Sequence, residues 1–248
     1  KNRFMPSKPH TDDVYRPKRI PKNPIKFKLQ LNEEQKEAKA KILNNTITLL
    51  AGQAGSGKTL LACNVALDGL FRRMYDKVII TRPTVSKEEI GFLPGDLREK
   101  MDPWVQPIYQ NMFLLYDKVK IEKCIEDGTI EIVPVSFMRG RTFLDSLIIV
   151  DEAQNVTHDQ MEMIATRVGK RSKMVVCGDT HQVDLKNKGD SGFKFLYNAA
   201  KKVKNMESIT LMTNNRDDVV QDLIDYYNEA YEKKQIVGTA GSSGTQRR

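Results

Sequence analysis

The eight residues Gly52-Gln53-Ala54-Gly55-Ser56-Gly57-Lys58-Thr59 constrain this chain more than any other stretch. They fit the pattern G-x-x-x-x-G-K-[ST], with an apolar run at Thr46–Ala51 before them and a helical pattern from Lys58 to Arg72 after them. A glycine-rich turn between a strand and a helix aims successive backbone N–H groups into one concavity, and the helix adds its positive end. Such a unit binds phosphate. Lys58 is placed to reach the β and γ phosphates of a nucleotide, and the Thr59 hydroxyl to reach Mg²⁺.

A strand feeding such a loop belongs in a layered α/β domain, and the rest of the chain agrees. Short β-branched runs are expected as strands at Thr46–Ala51, Lys77–Thr81, Thr129–Val135, Ser146–Val150, Lys173–Cys177 and Ser208–Met212. Several are apolar almost throughout, as strands covered on both faces must be. Helical patterns fit Glu33–Leu43, Lys58–Arg72, Pro103–Tyr116, Asp159–Val168, Phe193–Val203 and Asp217–Lys233. The alternation predicts a single domain with a mostly parallel sheet flanked by helices.

The run Leu147–Val150 ends in Asp151-Glu152. A strand end delivers both acids to the crevice where α/β sheets bind ligands. Asp151 is expected to hold Mg²⁺, and Glu152 to orient the water that attacks the γ-phosphorus. A third strand ends in Gly178-Asp179-Thr180-His181-Gln182, and Gln182 is the candidate for sensing the γ-phosphate. Ahead of the first helix, Gln35 has two readings. Its amide suits the donor and acceptor edge of adenine, and with Asn32 it also forms a capping box. Asn187-Lys188-Gly189-Asp190 imitates a guanine-specifying motif but follows a short polar stretch, so it is set aside.

The net charge of +8 lies in the tails. Nine Lys/Arg against Asp12 and Asp13 give residues 1–28 a net +7, and Arg247 with Arg248 adds +2, which leaves the body near −1. Five of the ten prolines fall in the first 24 residues, so residues 1–28 read as an extended basic arm and 236–248 as a flexible Gly/Ser tail. Residues 29–235 are the expected domain. Cys63, Cys124 and Cys177 show no Cys-x-x-Cys pairing, and no apolar run reaches membrane-span length. A cytoplasmic protein without a membrane partner is expected. The chain opens on lysine, so its numbering is expected to begin inside a longer or processed polypeptide.

The chain resembles the PhoH family, in the compact form found in bacteria and phages. The matching stretches are Thr81-Arg82-Pro83, Gly91–Leu97, Met138-Arg139-Gly140-Arg141-Thr142, Asp151–Asn155, Thr166–Gly169, Gly178-Asp179 with Gln182, Asp184-Leu185, and Ser191-Gly192. The resemblance implies a RecA-like P-loop domain akin to the first motor domain of superfamily 1 helicases. It implies a Mg²⁺-dependent ATPase coupled to RNA or single-stranded DNA. By the same likeness Gln35 reads adenine, Gln182 senses the γ-phosphate, and Arg82, Arg139 and Arg141 are candidates for nucleic-acid contact. The competing reading of these arginines is local ion pairs. Where the family carries an arginine near the end, this chain has Gln221, which leaves Arg216 as the substitute for an arginine finger. One lobe needs a second wall, so a homo-oligomeric ring, a hexamer, is expected. A small-molecule kinase and a nucleotide switch are the rival functions.

Overall fold

The computed structural model describes residues 30–83, 97–179 and 191–213, with helical backbone at 219–220, 222–223 and 226–227. Its strands are β1 Ile47–Gly52, β2 Lys77–Thr81, β3 Ile130–Ile132, β4 Ser146–Val150, β5 Lys173–Gly178 and β6 Met206–Leu211. Its helices are α1 Glu33–Asn44, α2 Lys58–Phe71, α3 Leu97–Leu115, α4 Lys118–Glu126, α5 Val135–Met138, α6 His158–Ala165 and α7 Gly192–Ala199.

The six strands form one sheet in the order β3-β2-β4-β5-β1-β6, and every pairing is parallel. Parallel neighbours require crossovers, and helices supply them. Because side chains alternate along a strand, each strand feeds two cores. Leu50, Ile80, Leu147, Ile149 and Val175 pack with α1, α2, α3 and α4. Leu49, Ile79, Ile148, Val150 and Val176 pack with α5, α6 and α7. Two covered faces explain why these strands are apolar without alternation.

The sheet order sets the functional edge. β1 and β4 are separated by β5, so the loop after β1, the acids after β4 and the end of β5 emerge side by side. The register carries Ala51 beside Gly178, and Val150 beside Val176.

All six expected strands are present, Lys77–Thr81 and Ser146–Val150 with the expected bounds and the other four with shifted ends. β3 stops at Ile132 and not at Val135, because Pro134 has no N–H to donate and the chain turns into α5. α3 begins at Leu97, six residues before the Pro103 that the pattern marks as a start. It runs through Pro103 and Pro107, held by Ile108 and Met112, which are fully buried in the α2 core. α4 is absent from the sequence expectations. Asp117 caps it, accepting from Lys120 N at 3.1 Å, and Ile121 is its one fully buried residue. α6 ends at Ala165 because residues 166–169 turn back to pair with Phe143. The arm, the tail, Gly91–Asp96, and all of Thr180–Asp190 lie outside the described residues, as do Arg216 and Gln221.

Candidate nucleotide site

β1 ends on a glycine because nothing larger fits. Gly52 has φ 152°, and a Cβ there would stand 2.7 Å from the Leu211 carbonyl of β6 and 2.6 Å from Ser56 Oγ. The chain then climbs through a tight turn to Gly57, whose φ of 84° places it in the left-handed region before α2. α1, α4, α6 and α7 each start with a side-chain cap, from Asn32, Asp117, Thr157 and Ser191. α2 has no side-chain cap and no acid in its first turn. Its orphan N–H groups and positive dipole end therefore face outward to a ligand.

Lys58 folds over this turn, donating from Nζ to the Gly52 and Gln53 carbonyls at 2.7 and 2.8 Å. The next residue reaches across the sheet: Thr59 Oγ1 donates to Asp151 Oδ1 at 2.7 Å. Asp151 is only 4% exposed. Burial pushes its carboxyl upward from the usual range, although the Thr59 hydroxyl and the charges of Arg82 and Lys58 pull it the other way. A buried carboxylate whose burial outweighs its partners is one that a cation would stabilise.

Glu152 follows in a left-handed conformation, φ 54°, which for a residue with a Cβ costs of order 1–3 kcal/mol. Two side chains hold it there. Gln154 Nε2 donates to Oε2 at 2.6 Å, and Arg82 Nη2 stands 3.5 Å from Oε1. Gln154 is itself 4% exposed, accepting from Asp179 N at 3.2 Å through Oε1 and from Ser191 Oγ at 2.9 Å through its carbonyl. The Gln154 side-chain amide thus ties the end of β4 to the end of β5, and its backbone carbonyl ties the same turn to the start of α7. Its position inside Asp151–Asn155 was the available signal, and its role needed the neighbouring strand to be seen.

These groups line a cavity of about 440 Å³, bounded by the glycine turn, Lys58, Thr59, Asp151, Glu152 and Asp179, a volume in the range of small-molecule sites. Gln35 lines the same cavity while completing the capping box, in which Gln35 N donates to Asn32 Oδ1 at 2.8 Å and Asn32 N to Gln35 Oε1 at 3.2 Å. The two readings of that glutamine are therefore compatible, since its NH₂ group is not used by the cap. Asn111 of α3 and Gln30 also line the cavity, neither of which the sequence patterns single out. Beneath it, burial raises the Cys63 and Cys177 thiols, which keeps both protonated and poor nucleophiles.

The three arginines fall in different settings. Arg82 leaves β2 directly beside β4, and its side chain is only 19% exposed, with Nη1 donating to the Trp104 carbonyl at 2.8 Å. Arg141 pairs with Glu131 at 2.8 Å and lies over the Phe143 ring at 4.7 Å. Arg139 is exposed. Part of the motif pattern is structural: Arg167 Nη1 donates to the Arg141 carbonyl, and Gly169 N to the Phe143 carbonyl, so two motif stretches brace one another. Gln182 and Arg216 lie outside the described residues.

Residues 29–232 match the family described as PhoH-like protein. The chain belongs to that family. It is 41% identical over 196 residues to a PhoH-like protein of Synechocystis, covering 78% of this chain and 59% of the relative. It is 40% identical over 202 residues to a PhoH-like protein of Bacillus subtilis, covering 81% and 62%. It is 35% identical over 196 residues to Protein PhoH of Escherichia coli K12, covering 78% and 54%. The chain thus spans a little over half the length of these PhoH-like relatives. Among solved structures, the Pif1 helicase of Candida albicans matches at 20% identity and TM-score 0.44, over 81% of this chain and 44% of that one. The UvsW helicase of bacteriophage T4 matches at 13% identity and TM-score 0.45, over 73% and 60%. Among the described residues of this PhoH-like chain, no helix is long and apolar enough to cross a membrane.

Proposed function

We propose that this PhoH-like domain hydrolyses ATP with Mg²⁺ and couples that reaction to binding or remodelling RNA or single-stranded DNA. The observation that carries the reading is the convergence of Lys58, the open end of α2 and the Thr59–Asp151 pair on one cavity, with Glu152 at its rim.

Thr59 Oγ1 and Asp151 Oδ1 suit Mg²⁺, which takes one or two protein oxygens and leaves its other positions to phosphate and water. When bound, the ion neutralises charge developing on the phosphate oxygens. The chain's own residues supply the rest. Lys58 leaves the Gly52 and Gln53 carbonyls for the β and γ phosphates, which are stronger acceptors. The backbone N–H groups of residues 53–59 hold the same phosphates. Glu152 accepts the proton of the attacking water, and Gln154 fixes the direction in which its carboxylate points. Gln35 offers its NH₂ group to the adenine edge. Gln182 and Arg216 are proposed as γ-phosphate sensor and finger. Arg139, exposed beside the half-exposed Phe137, is proposed as a polynucleotide contact. A ring of copies, a hexamer, would place a neighbour's arginine opposite the γ-phosphate.

The test is ATPase activity with and without single-stranded RNA, in the wild type, Lys58→Ala and Glu152→Gln. Hydrolysis stimulated by RNA and lost in both variants is expected. Turnover that needs a metabolite supports a kinase, and tight binding without turnover supports a switch. Wild-type hydrolysis by Glu152→Gln removes Glu152 from the mechanism. Mass measurement in solution with ATP tests the ring, and a monomer at every concentration excludes it.

A further inference from the structure

We propose that Arg82 is a latch on Glu152, opened when a phosphate oxygen replaces the carboxylate as its acceptor. This rests on Glu152 being the group that accepts the proton from water.

Both oxygens of Glu152 are engaged in this structure, Oε2 by Gln154 at 2.6 Å and Oε1 by Arg82 at 3.5 Å. The two contacts differ in kind. The Gln154 amide is buried and bonded on both sides, so it sets an orientation. The Arg82 contact is long and puts a cation on Glu152, which lines the cavity, at the oxygen that a water molecule would use. Arg82 is also incompletely satisfied. Nη1 is anchored on the Trp104 carbonyl, but the buried Nε has no hydrogen-bond partner among the described residues. An anchored guanidinium with a spare buried donor is built to take one more acceptor, and a planar fork suits phosphate oxygens best. Phosphate reaching Nη2 and Nε draws the guanidinium off Oε1 and leaves Glu152 aimed by Gln154 alone. Two sources carry that chemistry: the γ-phosphate of the nucleotide and the phosphodiester backbone of a single strand.

The exchange is between two ion pairs near the surface, so the latch is weak by design of its setting. A long, partly exposed pair of this sort holds a state by a factor of about two to five. Steady-state ATPase of Arg82→Gln is therefore expected to show kcat raised about two- to fivefold without polynucleotide, with KM for ATP unchanged. Polyuridylate should stimulate the wild type and leave this variant unmoved. Arg82→Lys keeps the charge but not the fork, and should fall between the two. Trp104, the chain's single tryptophan, provides a second readout because Arg82 is bonded to its carbonyl. Its emission should change in the wild type with Mg²⁺ and a nonhydrolysable ATP analogue if the γ-phosphate opens the latch. It should change only with added polyuridylate if the strand does. Either change should be absent in Arg82→Gln. Reduced kcat in Arg82→Gln, or unchanged kcat with stimulation intact, overturns the latch. If Arg82→Gln does not fold, Arg82→Lys decides, with a basal rate at or below wild type counting against it. Glu152→Gln run alongside separates the two failures: full activity there refutes the base assignment, whereas an inactive Glu152→Gln with an unaltered Arg82→Gln refutes the latch alone.

Discussion

Gln154→Met is the substitution whose consequences the structure specifies most closely. The replacement keeps length and volume in a position that is 4% exposed, so it opens no large cavity. It removes two hydrogen bonds. The bond to Glu152 Oε2, at 2.6 Å, involves a charged acceptor and is worth roughly 1.5–3 kcal/mol. Because that carboxylate is 40% exposed, water replaces much of the loss in the resting protein, and the cost falls on the aim of Glu152 during reaction. If the whole of it is felt in the transition state, kcat drops roughly 10- to 150-fold. The second bond, from Asp179 N at 3.2 Å, is buried, and removing its acceptor should cost about 1–3 kcal/mol of stability. KM for ATP should hold, because Gln154 does not line the cavity. Gln154→Glu provides the internal control. It can still accept from Asp179 N but sets carboxylate against carboxylate at Glu152, so it should lose kcat while keeping that interstrand bond. The assays are steady-state ATPase for kcat and KM, and urea unfolding for stability. A folded Gln154→Met with wild-type kcat would refute the positioning argument.

Three other expectations follow from burial and charge. The Asp151 carboxyl is held above its ordinary value of 3.8 by burial, so the folded state binds the proton more tightly than the unfolded chain. Stability of the nucleotide-free protein should fall as pH rises from 3.8 through the raised value. Asp151→Asn should lose that fall and melt higher than wild type above the window while losing turnover, as thermal unfolding at several pH values will show. Phe193 is fully buried with its ring against Gly178, and Phe193→Ala should cost about 3–5 kcal/mol by urea denaturation. Thiol labelling of the native protein should leave Cys63 and Cys177 unmodified, since both are buried and protonated, with only the half-buried Cys124 reacting; labelling of Cys177 at the unfolded rate would contradict the core beneath the site.

What could be read in the sequence was what is local along the chain. The glycine turn, Lys58 and Thr59 are contiguous, and their strand and helix flanks are short-range patterns, so this half of the site was legible. Asp151-Glu152 was legible for the same reason, as two acids closing an apolar strand. The six strands were found because double coverage makes each one apolar throughout. What escaped was set by neighbours across the sheet. The contact of Arg82 with Glu152 needs β2 beside β4, and the Gln154–Asp179 bond needs β4 beside β5; neither adjacency is written in residue spacing. Arg141 shows the same limit: its tie to Glu131 comes from a residue ten positions away on another element. α4 escapes the pattern because its apolar signal is narrow and three of its nine residues are lysines. Gln182, named from its motif, and Arg216, named as the substitute for the arginine replaced by Gln221, lie outside the described residues.

The most direct test is a calorimetric titration of the wild type and Lys58→Ala with a nonhydrolysable ATP analogue, with and without Mg²⁺. One equivalent should bind per wild-type chain, more tightly with Mg²⁺, and Lys58→Ala should abolish or severely weaken it. A folded wild type that takes up no nucleotide, or a Lys58→Ala that binds equally well, would contradict the site assigned to this turn.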